Sequence, residues 1–215
     1  MYVVNIAEEL IMRRTKEDAQ KTYDAILDAA VAHFSQRGVA NTSLEDIAES
    51  ANVTRGAIYW HFKNKGEIFD SIHERFYQPL AALLLEDIET SHNDPLQQLH
   101  DICVKLLLDF TLDLRKRQAA ALFMLGCHYS GDLEQYWDKH HKKKEDSLKI
   151  FSRYFEKAKK DGRLPVSASP EILTLSIRCY MKGIISEYLN DIENFNLEKN
   201  AEPLIAQFFY PLAVK

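Results

Sequence analysis

Three cysteines in 215 residues, Cys103, Cys127 and Cys179, are too few and too widely spaced for a disulfide framework. None forms the CxxC pair of a structural zinc site, and a reducing cytoplasm is the compartment they imply. Glycine and proline are scarce, seven and six residues, and no segment alternates apolar and polar residues as a half-buried strand does. What recurs instead is the 3.6-residue apolar spacing of helices, so an all-α fold is expected. Apolar runs are short. The longest, Pro79 to Leu85, falls far below the roughly 18 residues of a membrane span, so no membrane partner is expected. The opening MYVVNIAEELI carries an apolar patch without a basic flank, which does not make a signal peptide. Met12 is an alternative start, and residues 1–11 are expected to be a flexible or helical extension.

Catalytic signatures are missing as well. There is no Gly-rich phosphate loop, HExxH or GxSxG, so no enzyme activity, catalytic residue, cofactor or metal is expected. His140 and His141, with His128, come nearest to a metal set, but consecutive helical residues point to different faces. Together with Lys142, Lys143 and Lys144 they read as a solvated surface. Cys179 follows the basic Arg178, which leaves thiol redox sensing as an alternative signal. Net charge is -5, which at first argues against a polyanion partner. Residues 12–65 differ: eight Lys or Arg against seven Asp or Glu give +1, so local placement has to decide.

That placement is informative in residues 42–65, TSLEDIAESANVTRGAIYWHFKNK. Leu44, Ile47, Ala48 and Ala51 form an i, i+3, i+4, i+7 stripe behind an expected Thr42-x-x-Glu45 capping box. Asn52 stands at the reversal, where its tolerance of left-handed backbone is useful, and Thr54 is placed to cap a second helix. On that helix Ile58 and Phe62 share the inner side, while Arg55, Gly56, Tyr59 and Trp60 share the outer arc. Such a helix-turn-helix lays its second helix in the DNA major groove. Arg55 is then the candidate for reading a guanine through two hydrogen bonds. Thr54, Tyr59, His61 and Lys65 are candidates for phosphate contacts, and Gly56 permits close approach.

The string Thr42, Leu44, Ile47-Ala48, Val53-Thr54-Arg55-Gly56, Ile58-Tyr59, His61-Phe62 and Lys65 closely resembles the DNA-binding segment of the TetR family of bacterial transcriptional regulators. Through VTRGAIYWHFKNK and the basic opening MRRTKEDAQKT it is most similar to the multidrug-efflux repressors resembling AcrR. The resemblance implies that Thr42, Ser43, Ala57, Trp60 and Lys63 complete the DNA face. Arg13 and Arg14, in an arm before the first helix, would reach phosphates or the minor groove. Two departures stand out. Tyr23 occupies a position where the family usually has arginine, and Asn52 replaces a usual glycine.

The same resemblance implies three divisions: residues 1–11 an extension, 12–65 a three-helix helix-turn-helix domain, and 66–215 a helical effector-binding and dimerisation domain entered by a long helix. Helix 1 is expected over 22–36, stopped by Gly38. Asp94-Pro95 opens a helix to about 112, followed by one from about Lys116 to Tyr129. A charged helix ends at Asp161-Gly162, and Ser169-Pro170 opens the penultimate one. The two terminal helices are more apolar than one buried face requires, and the family places a homodimer seam there, assigned to Ile177, Ile184, Ile185, Tyr188, Leu204, Ile205, Phe208 and Phe209. Aromatic and sulfur side chains, Phe110, Phe123, Met124, Cys127, His128, Tyr129, Trp137 and Met181, with Arg178 for orientation, make the expected pocket. The partners implied are double-stranded operator DNA, a second copy of the chain and a small lipophilic or aromatic effector that releases the DNA. A DNA-organising protein without a small-molecule ligand is the alternative.

Overall fold

The computed structural model describes residues 2–89, 94–125 and 129–212, with side chains described outside 2–14 and 78–89. All regular elements among these residues are helices: α1 (Tyr2–Arg37), α2 (Leu44–Ser50), α3 (Arg55–His61), α4 (Lys65–Glu89), α5 (Pro95–Leu112), α6 (Leu114–Ala120), α7 (Trp137–Lys160), α8 (Pro170–Asn190) and α9 (Leu197–Phe209). The chain divides into two compact units, Met1–Ile72 and His73–Lys215, with α4 running through the division.

In the first unit α1 begins far upstream of the expected residue 22. Residues 2–21 contain no glycine or proline and include several Glu, Ala, Lys and Arg, so propensity favours a helix there. Ile26, Leu27, Ala30, Val31 and Phe34 of α1 pack on Ile47 and Ala48 of α2, Ile58 at the centre of α3, and Phe62 just beyond it. Each large side chain so buried contributes about 1.5–3 kcal/mol. The start of α2 differs from expectation by one residue. Ser43 is the N-cap: its Oγ accepts from Asp46 N–H while the Asp46 carboxylate accepts from Ser43 N–H at 2.8 Å. Thr42 is instead buried, donating to the Gly38 carbonyl at 2.9 Å. A serine next to a threonine, with acids at both 45 and 46, makes the two registers equivalent in sequence. Burial of the threonine decides between them. The turn follows expectation, with Asn52 at φ +54° and Thr54 Oγ1 accepting from Ala57 N–H at 3.1 Å.

The second unit is a helical bundle. Asp94 caps α5 by accepting from Leu96 and Gln97 N–H. The Arg117 guanidinium closes the other end of α5 through the Phe110 and Thr111 carbonyls at 2.8 and 3.0 Å. α5 packs on α7 and α9, and α7 on α8, around Leu99, Leu107, Tyr154, Phe155 and Ile205. The helix expected from Lys116 to Tyr129 is shorter. α6 ends at Ala120 and the chain passes into one widened π-helical turn, Ala121–Leu125. Such turns re-aim side chains and are frequent at functional sites.

Candidate functional site

On α3 the inner pair is fixed, with Ile58 and Phe62 buried. The outer arc presents Arg55, Gly56, Tyr59 at 49% and Trp60 at 74% exposure. Arg55 donates to the Tyr59 hydroxyl at 3.1 Å, lies over that ring, and approaches Glu45 of α2 at 3.7 Å. His61 is half-buried and touches Tyr23 and Trp60 edge-on. Partial burial lowers its pKa, favouring a neutral ring that offers one donor and one acceptor. Tyr23 stacks on Phe62 at 5.1 Å; where the family usually has a cation, this chain has a side chain that braces α1 against the end of α3.

Gly56 has ordinary helical backbone, and a Cβ there would meet only Thr54 Oγ1, at 3.7 Å. Neither conformation nor internal packing requires glycine, although glycine costs a helix interior about 0.8–1 kcal/mol relative to alanine.

Two residues expected at the DNA face are engaged within the chain. Lys65 is turned inward, its ammonium donating to the carbonyls of Val39, Ala40 and Thr42 at 2.7, 3.2 and 2.6 Å. Those three donors satisfy carbonyls left open after α1, so Lys65 binds this chain and not a phosphate. Thr42, buried, has no surface to offer. Every described Lys and Arg of residues 37–65 is in fact partnered: Arg37 with Asp46, Arg55 with Glu45, Lys63 with Glu67, and Lys65 with the carbonyls. Thr54, Ala57 and Lys63 lie on or just beside α3, and Ser43 is exposed at the start of α2. Arg13 and Arg14 fall within α1, with their side chains outside the described residues.

In the second unit a cavity of about 390 Å³ is walled by Phe76 and Tyr77 of α4, Leu106 and Phe110 of α5, Phe123 and Met124 of the π turn, Phe151 of α7, and Ile177, Met181 and Ile185 of α8. Lys144, Arg178, Cys179 and Lys182 also line it. Of the expected pocket residues, Phe110, Phe123, Met124, Arg178 and Met181 converge here. Tyr129 and Trp137 line a smaller neighbouring cavity of about 250 Å³ with His73, His140 and His141. Cys127 and His128 lie outside the described residues. Phe76, Tyr77, Lys144, Phe151 and Lys182 were missed; Phe76 lies on the apolar stripe of α4, but spacing alone could not tell a cavity wall from packed core.

The residues assigned to the seam are largely engaged within the chain. Ile177, Ile184, Ile185, Tyr188, Ile205 and Phe209 are 8% exposed or less and belong to the unit's own core, with Leu204 and Phe208 packed against it. The exposed residues of α8 include Ile172, Leu175, Cys179 and Gly183 besides the charged Glu171, Arg178, Lys182 and Glu187, with Ser176 and Ser186 half-exposed. A Cβ on Gly183 would meet nothing within 4 Å. Cys103 is fully buried, which pushes its thiol pKa up to about 12 and keeps it an inert thiol at neutral pH. Among the described residues no three His, Cys, Asp or Glu side chains gather as a metal site, and no helix is long and apolar enough to cross a membrane.

Two family models match the sequence: bacterial regulatory proteins of the tetR family over residues 26–72, and the C-terminal region of MAATS-type transcriptional repressors over residues 94–213. The HTH-type transcriptional regulator AcrR of Shigella flexneri is 31% identical over 194 residues, covering 90% of each chain. NalD, the secondary repressor of the MexAB-OprM multidrug efflux pump in Pseudomonas aeruginosa, superposes with a TM-score of 0.76 at 29% identity, covering 92% of this chain and 98% of that one. A SmeT–triclosan complex superposes with a TM-score of 0.78 at 27% identity, covering 90% and 92%.

Proposed function

We propose, because the chain belongs to the TetR family of bacterial regulatory proteins, that it is a cytoplasmic, homodimeric repressor of a multidrug-efflux operon, released from its operator by lipophilic or aromatic compounds. Residues 12–65 form the DNA-binding part and residues 66–215 the effector and dimer part. The observation that carries this reading is the continuity of α4. The helix starts at Lys65, whose ammonium is tied to the carbonyls after α1, and eleven and twelve residues on its Phe76 and Tyr77 wall the aromatic cavity. A compound that prefers a different setting of Phe76 and Tyr77 acts on the same helix that begins at Lys65. Its differential affinity for the two settings sets how far the DNA-competent population falls. NalD controls an efflux pump and SmeT has been solved with triclosan, which supports the choice of target and of ligand class.

Operator reading is assigned to Arg55, with Thr54, Tyr59, Trp60, His61 and Lys63 around it. Surface ion pairs such as Arg55–Glu45 contribute about 0–1 kcal/mol, so a guanine edge can displace Glu45, whereas the Tyr59 hydroxyl can keep the guanidinium aligned. Arg55→Ala is expected to cost about 1–3 kcal/mol of operator affinity and to relax one base position. Gly56→Ala should split stability from binding: the melting temperature rises while operator affinity falls, measured by calorimetry and DNA titration. Gly56→Ala binding as tightly as wild type would remove the close-approach argument.

Sequencing of genomic DNA bound by the protein tests the whole reading. One or two sites upstream of a transporter operon are expected. Lipophilic drugs and dyes should then quench tryptophan fluorescence and release that DNA. Dispersed sites with no response to any compound would instead make the protein an organiser of DNA.

A further inference from the structure

The effector cavity is asymmetric in charge. Its walls are apolar and aromatic, and every charged residue in its lining is a cation: Lys144 from α7, and Arg178 and Lys182 from α8. Lys144 and Lys182 also line the neighbouring cavity, so these charges stand between the two spaces. No carboxylate among the described residues lies within ion-pair distance of any of the three. The contrast with the preceding turn of α7 is sharp, because Lys139 and Lys143 both pair with Glu74. The fold thus gives these two lysines of α7 a shared carboxylate and gives the one at the cavity none. Burial, with Lys182 and Arg178 nearby, lowers the pKa of Lys144, as expected of cations gathered without a counter-charge.

Building on the effector role given to this cavity, we infer that its ligands are amphipathic organic anions: an aromatic or alkyl body held among Phe76, Phe110, Phe123 and Phe151, with a carboxylate or other acidic group received by Lys144, Arg178 and Lys182. An anion removes the mutual repulsion of the three cations and accepts charge-assisted hydrogen bonds from a guanidinium and two ammonium groups. A neutral body of the same shape gains only the apolar contacts. A cationic one adds a fourth like charge at the same edge.

Three probes sharing one ring system separate these cases: 1-naphthaleneacetate, 1-naphthaleneethanol and 1-naphthylmethylammonium, each titrated calorimetrically into the wild-type protein and into an Arg178→Met/Lys182→Met variant. Both replaced side chains are exposed, and matching melting curves will establish that the variant is folded. The acetate should bind wild type roughly tenfold or more tighter than the alcohol, the factor one hydrogen bond to a charged group supplies, and the ammonium weakest. In the variant, where Lys144 alone remains, the acetate should lose most of its advantage over the alcohol, whose affinity stays unchanged. If the alcohol or the ammonium binds wild type as tightly as the acetate, the anion preference is wrong and the effector cavity survives. If no probe binds, the effector role of the cavity fails and the inference falls with it.

Discussion

Gly183→Arg is expected to convert the protein to monomers and to lower operator affinity by about 10²–10⁴, the gain that two linked half-site contacts supply. The argument starts inside one chain. Gly183 sits in the middle of α8, a Cβ there meets nothing, and α8 would be more stable by about 0.8–1 kcal/mol with alanine. Its use is expected to lie outside the chain, in the approach of a second α8 along the face of Leu175, Cys179 and Ser186. Because helix-turn-helix dimers set their recognition helices one DNA turn apart, about 34–36 Å, an arginine that holds the copies apart removes the second half-site. Sedimentation velocity and DNA titration measure both effects, and melting of the variant monomer should show an intact fold. Ile185→Asp makes the opposite case: Ile185 is 5% exposed in the core, so a charge there should unfold the unit. A Gly183→Arg protein that sediments as a dimer would place the interface elsewhere.

Lys65→Met is expected to melt the N-terminal unit roughly 10–20 °C below wild type, with DNA binding lost through unfolding. Three carbonyls lose a charged donor at once. Hydrogen bonds to charged groups contribute about 1.5–3 kcal/mol each, but partial exposure lets water rescue some of them, so a net loss of about 2–3 kcal/mol is reasonable. At about 4–8 °C per kcal/mol for a unit of this size, the melting shift follows. Lys65→Arg should recover part of it. An unchanged melting curve together with a salt dependence of binding shallower by about 1 would restore Lys65 as a phosphate contact.

Local chemistry was readable wherever one residue type has one physical use. Asn52 takes the left-handed turn, Thr54 caps α3, Asp94-Pro95 and Ser169-Pro170 open α5 and α8, and Gly131 and Gly162 adopt positive φ where breaks were expected. Where two registers were chemically equal, as at Thr42 and Ser43, burial decided and pattern could not. Periodicity showed that α8 and α9 carry apolar faces, but not what covers them; Ile177 to Phe209 turned out to meet α5 and α7 of their own chain. Lys65 misled for a related reason, since a basic residue after a recognition helix looks the same whether it faces a phosphate or a bare carbonyl. The cavity drew on α4, α5, α7, α8 and the π turn, and such a meeting exists only once the bundle is packed.

The pairing of Arg37, Arg55, Lys63 and Lys65 within the chain bears on how the protein searches a chromosome. Affinity for arbitrary DNA comes almost entirely from cations that release counterions from phosphates, each contributing about 0.9 to the salt slope. Arg37, Arg55 and Lys63 each face a carboxylate at 3.7–3.9 Å in exposed pairs that a phosphate can replace, whereas Lys65 is held by carbonyls, so these four cations are expected to add up to three, not four, phosphate contacts to the grip on arbitrary DNA.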